Sequence, residues 1–121
     1  MGRIIAIANQ KGGVGKTTTT INLAACLAEK DQHVLVIDID PQGNTTSGFG
    51  IEKEELENTI YELILGECSL EQCLIKNAVN NLDVLPSNVN LAGAEIDLIG
   101  VEDREYILKN KISPIVNDYD Y

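Results

Sequence analysis

The chain has 121 residues, 44% apolar and 23% charged, and its nine basic and 19 acidic side chains give a net charge of −10. That length supports one hydrophobic core, and the mixture excludes a disordered, fibrous or membrane-spanning chain. The charge disfavours nucleic acid and anionic membrane as direct ligands unless basic groups cluster locally, and here they do not cluster strongly.

Arg3 to Asn9 is a β-branched apolar run, predicted as a strand, and it ends in a glycine-rich loop from Gln10 to Gly15. The loop opens into a predicted helix from Lys16 to about Lys30, whose Ile21, Ala24, Ala25 and Ala28 form a narrow apolar face suited to lie on a sheet. Val34 to Ile37 is apolar without alternation, the pattern of a strand buried on both faces of a parallel sheet, so strand, helix and strand make a right-handed βαβ unit. Asp38 to Gly50, rich in Gly, Asn, Thr and Ser, reads as an exposed loop.

Two short helices follow, Thr59 to Leu65 and Ser69 to Ile75, with Gly66 as the break and Ser69 as an N-cap. Leu82 to Leu85 is a third strand, stopped by Pro86. Leu91 to Ile99 and Asp103 to about Ile112 are expected to be helical, with Pro114 ending or bending the second near Ser113. The fold class is therefore α/β, a parallel sheet with flanking helices.

The longest apolar runs, Ile4 to Ala8 and Val34 to Ile37, fall far short of the roughly 20 residues that cross a bilayer, and no signal-peptide core precedes them. Ala6 stands where a myristoylation pattern needs Ser or Thr. A cytoplasmic protein with no membrane partner is expected. Cys26, Cys68 and Cys73 are odd in number and lack a C-x-x-C pair, which argues against a secreted disulfide framework, zinc or an iron–sulfur cluster. They read as ordinary thiols, with Cys26 packed on its helix. His33 reads as a turn residue, and Glu52 to Glu57 as a solvated acidic face.

The chemistry concentrates in Lys11-Gly12-Gly13-Val14-Gly15-Lys16-Thr17-Thr18, between a predicted strand and a predicted helix. Gly12, Gly13 and Gly15 lack Cβ, so the backbone there can turn its N–H groups inward around a phosphate. Lys16 adds a point charge for the β and γ phosphates, Thr17 can place a hydroxyl on Mg²⁺, and the helix N-terminus adds its dipole. The second motif is Asp38-Ile39-Asp40-Pro41-Gln42-Gly43-Asn44, after a strand whose carboxyl end points at a nucleotide crevice. There Asp38 can hold Mg²⁺ through water while Asp40 positions the attacking water. Asp-Pro is also turn chemistry in its own right.

The strict phosphate-loop pattern wants glycine at position 10, where this chain has Gln10. With Lys11 two residues after the strand, the loop resembles the deviant Walker A sequence KGGxGK[ST] of the ParA, MinD and nitrogenase-iron-protein superfamily. Asn9-Gln10, Asp40 to Asn44, Thr45 to Gly50, Leu82 to Pro86 and Leu91 to Glu95 resemble the ParA/Soj partition ATPases in particular. MinD-like proteins lack the Pro-Gln step. The nitrogenase iron protein and its relatives carry a Cys-Asp-Pro variant and clustered cysteines.

The resemblance implies an ATP- and Mg²⁺-dependent switch. Lys11 would reach across a dimer interface, ATP would close a homodimer, the dimer would bind DNA without sequence preference, and a ParB-type partner would trigger hydrolysis, driving chromosome or plasmid segregation. Related ATPases that position another cargo, or a non-catalytic fragment that modulates an intact partition ATPase, are the rival readings. In the family, the segment matching Asp118 to Tyr121 runs into the Walker B strand, which lies between the strands matching Arg3 to Asn9 and Val34 to Ile37. Residues 1–121 therefore read as the N-terminal part of one ATPase domain, truncated before that strand, with Tyr119 and Tyr121 as its apolar anchors. The fragment alone is expected to hydrolyse ATP negligibly and to bind DNA weakly, since the family's DNA-contacting residues lie in the other half. Nucleoid association would belong to the full-length protein.

Overall fold

In the computed structural model, residues 3–5, 7, 16–39, 42–52, 55–87 and 106–121 are described. Three strands form the described sheet: β1 (Val34–Ile37), β2 (Ile75–Val79) and β3 (Leu82–Leu85), in the order β1-β3-β2. β1 pairs with β3 in parallel, Val34 opposite Leu82 through Ile37 opposite Leu85. β2 pairs with β3 antiparallel.

Helix α1 (Lys16–Glu29) occupies the expected span. Its Ala24 and Ala28 are buried with Val34, Val36, Leu82 and Val84, so small residues on the helix bring it close to one face of the sheet. Cys26 lies off that face and is exposed, contrary to the expectation that it packs. Two residues away from Ala24 on a helix is about 200° around the axis, which turns the thiol to solvent.

The opposite face carries Leu35, Ile37 and Leu85, covered by α3 (Ile60–Ile64), α4 (Leu70–Cys73) and the Ile107–Ile112 helix through Ile60, Leu63, Cys73, Leu108 and Ile112. Each full burial of such a side chain contributes about 1.5–3 kcal/mol. Thr59 caps α3 and Ser69 caps α4, each with a capping box completed three residues on by Glu62 and Gln72. Gly66, at φ 78°, makes the break between them. Pro114 acts as expected: the α-helix stops at Ile112 and tightens into a 3₁₀ turn over Ser113–Asp118. The predicted helix Leu91 to Ile99 lies outside the described residues, as does the start of the one predicted from Asp103.

Two further expectations are corrected. The helix predicted from Ser69 to Ile75 ends at Cys73, and Ile75 begins strand β2, so the sheet is mixed rather than purely parallel. The hairpin turns through Asn80 and Asn81, the latter in the left-handed region at φ 66°. The pairing shifts register between Ile75 and Val79, and Asn77 sits at φ 52°. That bulge breaks the alternation by which the strand could have been read. The stretch Asp38 to Gly50, expected to be an exposed loop, holds helix α2 (Asn44–Gly48) with Thr45 and Thr46 buried.

Of the strand predicted from Arg3 to Asn9, residues 3–5 and 7 are described and form no regular ladder. Arg3 N–H donates to the Asp120 carbonyl at 2.8 Å, and Leu35 N–H donates to the Tyr121 carbonyl at 3.0 Å. Residues 120 and 121 therefore run between Arg3 and the β1 edge, in the place where the family resemblance puts the next strand. Asp120 also accepts from His33 N–H through its side chain at 2.8 Å, and the His33 carbonyl accepts from Asp120 N–H at 2.7 Å, so His33, expected in the turn, lies just past it and pairs with this segment.

Tyr119 is buried and donates its hydroxyl to Asp83 Oδ2 at 2.6 Å, so it anchors the segment by a polar bond as well as by its ring. Burial first, and then the bond to Asp83, push its phenol well above the usual tyrosine range. The protonated phenol is thus favoured by folding. Its contribution is fully present below the unfolded value of about 10 and is lost as pH rises through the raised folded value. Urea denaturation at about pH 9 and about pH 11 should show the parent protein losing more stability over that interval than Tyr119→Phe; equal losses would place the tyrosine outside the linkage.

Candidate functional site

The parallel pair β1 and β3 sets the geometry of the site. Because α1 leads into β1 through a short turn, helix and strand run in opposite directions, and the N-terminal end of α1 lies at the sheet edge where β1 ends. Asp38 is the first residue past β1 at that edge. Its N–H continues the ladder to the Leu85 carbonyl at 3.1 Å.

The Asp38 side chain is buried, at 4% exposure. Its Oδ2 accepts from Thr46 N–H at 2.9 Å and from the Thr46 hydroxyl at 2.6 Å. The same Thr46 oxygen accepts from Ser87 N–H at 3.1 Å, two residues after β3. One fully buried hydroxyl therefore ties together the carboxyl ends of both parallel strands. Gly43 makes this possible: at φ 65° and ψ 29° it precedes α2 in the left-handed region, and its carbonyl accepts from Ser47 N–H. The glycine of the Asp-Pro-Gln-Gly-Asn motif is thus the residue that bends the chain back over Asp38. Gly48, at the other end of α2, faces Ile21 of α1 so closely that a Cβ there would overlap the isoleucine Cδ1.

Of the residues expected to bind nucleotide, Lys11, Gly12, Gly13, Val14 and Gly15 lie outside the described residues, as does Asp40. Lys16 and Thr17 begin α1, and Thr18 follows them, exposed, in its first turn. Asp38 is where the sequence placed it, at the carboxyl edge. Thr46 was missed; no spacing rule links a threonine to an aspartate eight residues earlier across a loop.

Among the described residues no group of three or more His, Cys, Asp or Glu side chains could hold a metal ion. A single carboxylate of Asp38 nevertheless suits Mg²⁺, a hard ion that keeps several waters and is bound by one or two carboxylates together with substrate phosphates. No helix among the described residues is long and apolar enough to cross a membrane.

A parallel strand pair with a buried aspartate at its carboxyl edge, beside the N-terminal end of a helix preceded in sequence by a lysine- and glycine-rich stretch, fits a phosphate-loop nucleotide-binding domain. Residues 2–121 match the AAA domain family AAA_31. The chain is 50% identical over all 121 of its residues to the sporulation initiation inhibitor protein Soj of Bacillus subtilis, covering 48% of that protein. It is 46% identical to the chromosome partitioning protein ParA of Myxococcus xanthus, again over the whole chain and 43% of the relative. The crystal structure of cobyrinic acid a,c-diamide synthase from Mycobacterium smegmatis with bound ATP analog and magnesium superposes with a TM-score of 0.91 at 38% identity, over 99% of this chain and 49% of that one. The chain belongs to the AAA_31 family, and its sequence is similar to Soj and ParA proteins. It spans about half the length of the curated relatives it matches.

Proposed function

We propose that the chain is the ATP-binding portion of a partition ATPase that segregates a chromosome or plasmid through ATP-dependent dimerisation and partner-stimulated hydrolysis. The observation that carries this reading is the Asp38 carboxylate, held by Thr46 at the carboxyl edge of β1 beside the start of α1. A carboxylate fixed there can orient the water shell of Mg²⁺ on a triphosphate whose β and γ phosphates Lys16 neutralises and whose metal Thr17 contacts. The backbone of Gly12 to Gly15, with Val14 and Thr18, would surround the phosphates. Lys11 would act on the nucleotide of the second protomer, and Asp40 would position the attacking water. Mg²⁺ would supply charge neutralisation between the β and γ phosphates.

The ParB-type partner, the homodimer and the sequence-independent contact with DNA are part of the same proposal. Its support is the 50% identity to Soj. The DNA contact belongs to the half of the relatives that this chain does not span, in keeping with its net charge of −10. Action in the cytoplasm, on the nucleoid, follows from that contact.

A chimera joining residues 1–121 to the remaining half of Bacillus subtilis Soj tests the reading. It should hydrolyse ATP in the presence of Mg²⁺, faster with a ParB-type partner and DNA. Asp40→Ala should keep ATP binding while lowering turnover by about 100-fold or more. Normal hydrolysis by Asp40→Ala would remove the water-positioning role from that residue, and an unstimulated chimera would count against the partition function.

A further inference from the structure

The corner between α3 and α4 carries two thiols that the nucleotide site does not use. Ser69 is the N-cap of α4, and Gln72 completes its capping box: Ser69 N–H donates to Gln72 Oε1 at 2.8 Å. Cys68 therefore stands immediately before the cap and Cys73 four residues after it, the two positions whose side chains meet across the start of a capped helix. In most proteins apolar side chains make this contact. Here both partners are cysteines, within hydrogen-bonding contact of each other. Cys73 is buried among Ile60, Leu63 and Leu85, and Cys68 packs at the rim of that cluster, partly open to solvent.

We propose that Cys68 and Cys73 form a redox-closable dithiol, a modification site that takes low-molecular-weight disulfides of the glutathione class as its oxidant. The more accessible Cys68 thiolate attacks one sulfur of the small disulfide, forming a mixed disulfide and expelling one thiolate. The Cys73 thiolate then attacks the Cys68 sulfur and expels the second. One small disulfide is reduced to two thiols, and two protein thiols become one disulfide with the release of two protons to the leaving thiolates. The sulfurs need only close from contact to a bond of about 2.05 Å, and the Gly66 turn on the Cys68 side is the part of the corner that can yield. Burial raises both thiols above the usual cysteine range, Cys73 to about 12, so closure runs faster as pH rises. Cys26, exposed on α1, has no place in the pair.

The test uses the whole chain with Cys26→Ser, equilibrated at mildly alkaline pH in mixtures of reduced and oxidised glutathione, quenched with an alkylating agent and weighed by mass spectrometry. Closure removes two hydrogens and both alkylation sites together, and cleavage after Glu71 leaves the two cysteine peptides joined. Because the folded corner already holds the sulfurs in contact, the equilibrium constant for closure should exceed that in concentrated urea by about tenfold or more. Cys73→Ser should stop at a glutathione adduct on Cys68. An equilibrium constant no larger in the folded chain than in urea, or a glutathione adduct that accumulates on Cys68 while Cys73 remains free, would overturn the proposal.

Discussion

Replacing Thr46 by Val is expected to destabilise the protein by about 2–4 kcal/mol, although the two side chains have nearly the same shape. The Thr46 hydroxyl donates to Asp38 Oδ2 and accepts from Ser87 N–H, and every atom involved is buried. Valine keeps the packing and the Thr46 N–H bond to Asp38, but it withdraws a charge-assisted donor from the carboxylate and an acceptor from Ser87 N–H. Thr46→Ser keeps both bonds and loses one methyl group, worth about 1 kcal/mol. Urea midpoints for the three proteins separate the effects: valine should fall well below serine. If valine unfolds at the parent's midpoint, the hydroxyl does not tie the strand ends together.

The second large effect is expected at Asp83. It lies in the middle of β3 with its side chain on the face away from α1, and only 9% of the residue is exposed. Its Oδ1 accepts from Asn77 N–H at 2.8 Å, and its Oδ2 from the Tyr119 hydroxyl. Lys76 Nζ stands 3.4 Å from the same oxygen and 6.0 Å from the Tyr119 ring centre. The ammonium is largely solvated, so its ion pair adds little. The two hydrogen bonds matter more: one fixes the bulge of β2, the other the segment that runs beside β1. Asp83→Ala should therefore cost about 2–4 kcal/mol. It should also speed amide exchange at Leu35, whose N–H bonds to the Tyr121 carbonyl, beyond what the global loss of stability explains. Unchanged exchange at Leu35 would mean that Tyr119 does not hold the segment in place.

These two networks also mark where sequence reading stops. α1, β1 and β3 were legible because their signals are local: an apolar face at helical spacing, or a short apolar run, ended in β3 by Pro86. The cap at Ser69 and the stop at Pro114 rest on the chemistry of one or two residues, whereas Thr59, read as the first residue of its helix, proved to be the cap. β2 was hidden by its own bulge at Asn77, which puts Lys76 and Asn77 side by side in solvent instead of alternating. Cys26 could have been placed correctly from its angle to Ala24 and Ala28. The bonds from Thr46 to Ser87 and from Tyr119 to Asp83 join residues 41 and 36 positions apart, and no pattern of spacing announces them. At the candidate site, Asp38 and the start of α1 stand where the motifs put them, while the burial of Asp38 beneath α2 emerged only from the fold.

The central claim is that the loop before α1 and the carboxyl edge of β1 together bind a nucleoside triphosphate with Mg²⁺. Titration of the chain with ATP and Mg²⁺ in a calorimeter, beside Lys16→Ala, tests it most directly. The parent should bind and the variant should bind about 100-fold more weakly, or some 2.7 kcal/mol, with its urea midpoint unchanged. Equal affinity in the two proteins, or no binding by a folded parent, would contradict the claim.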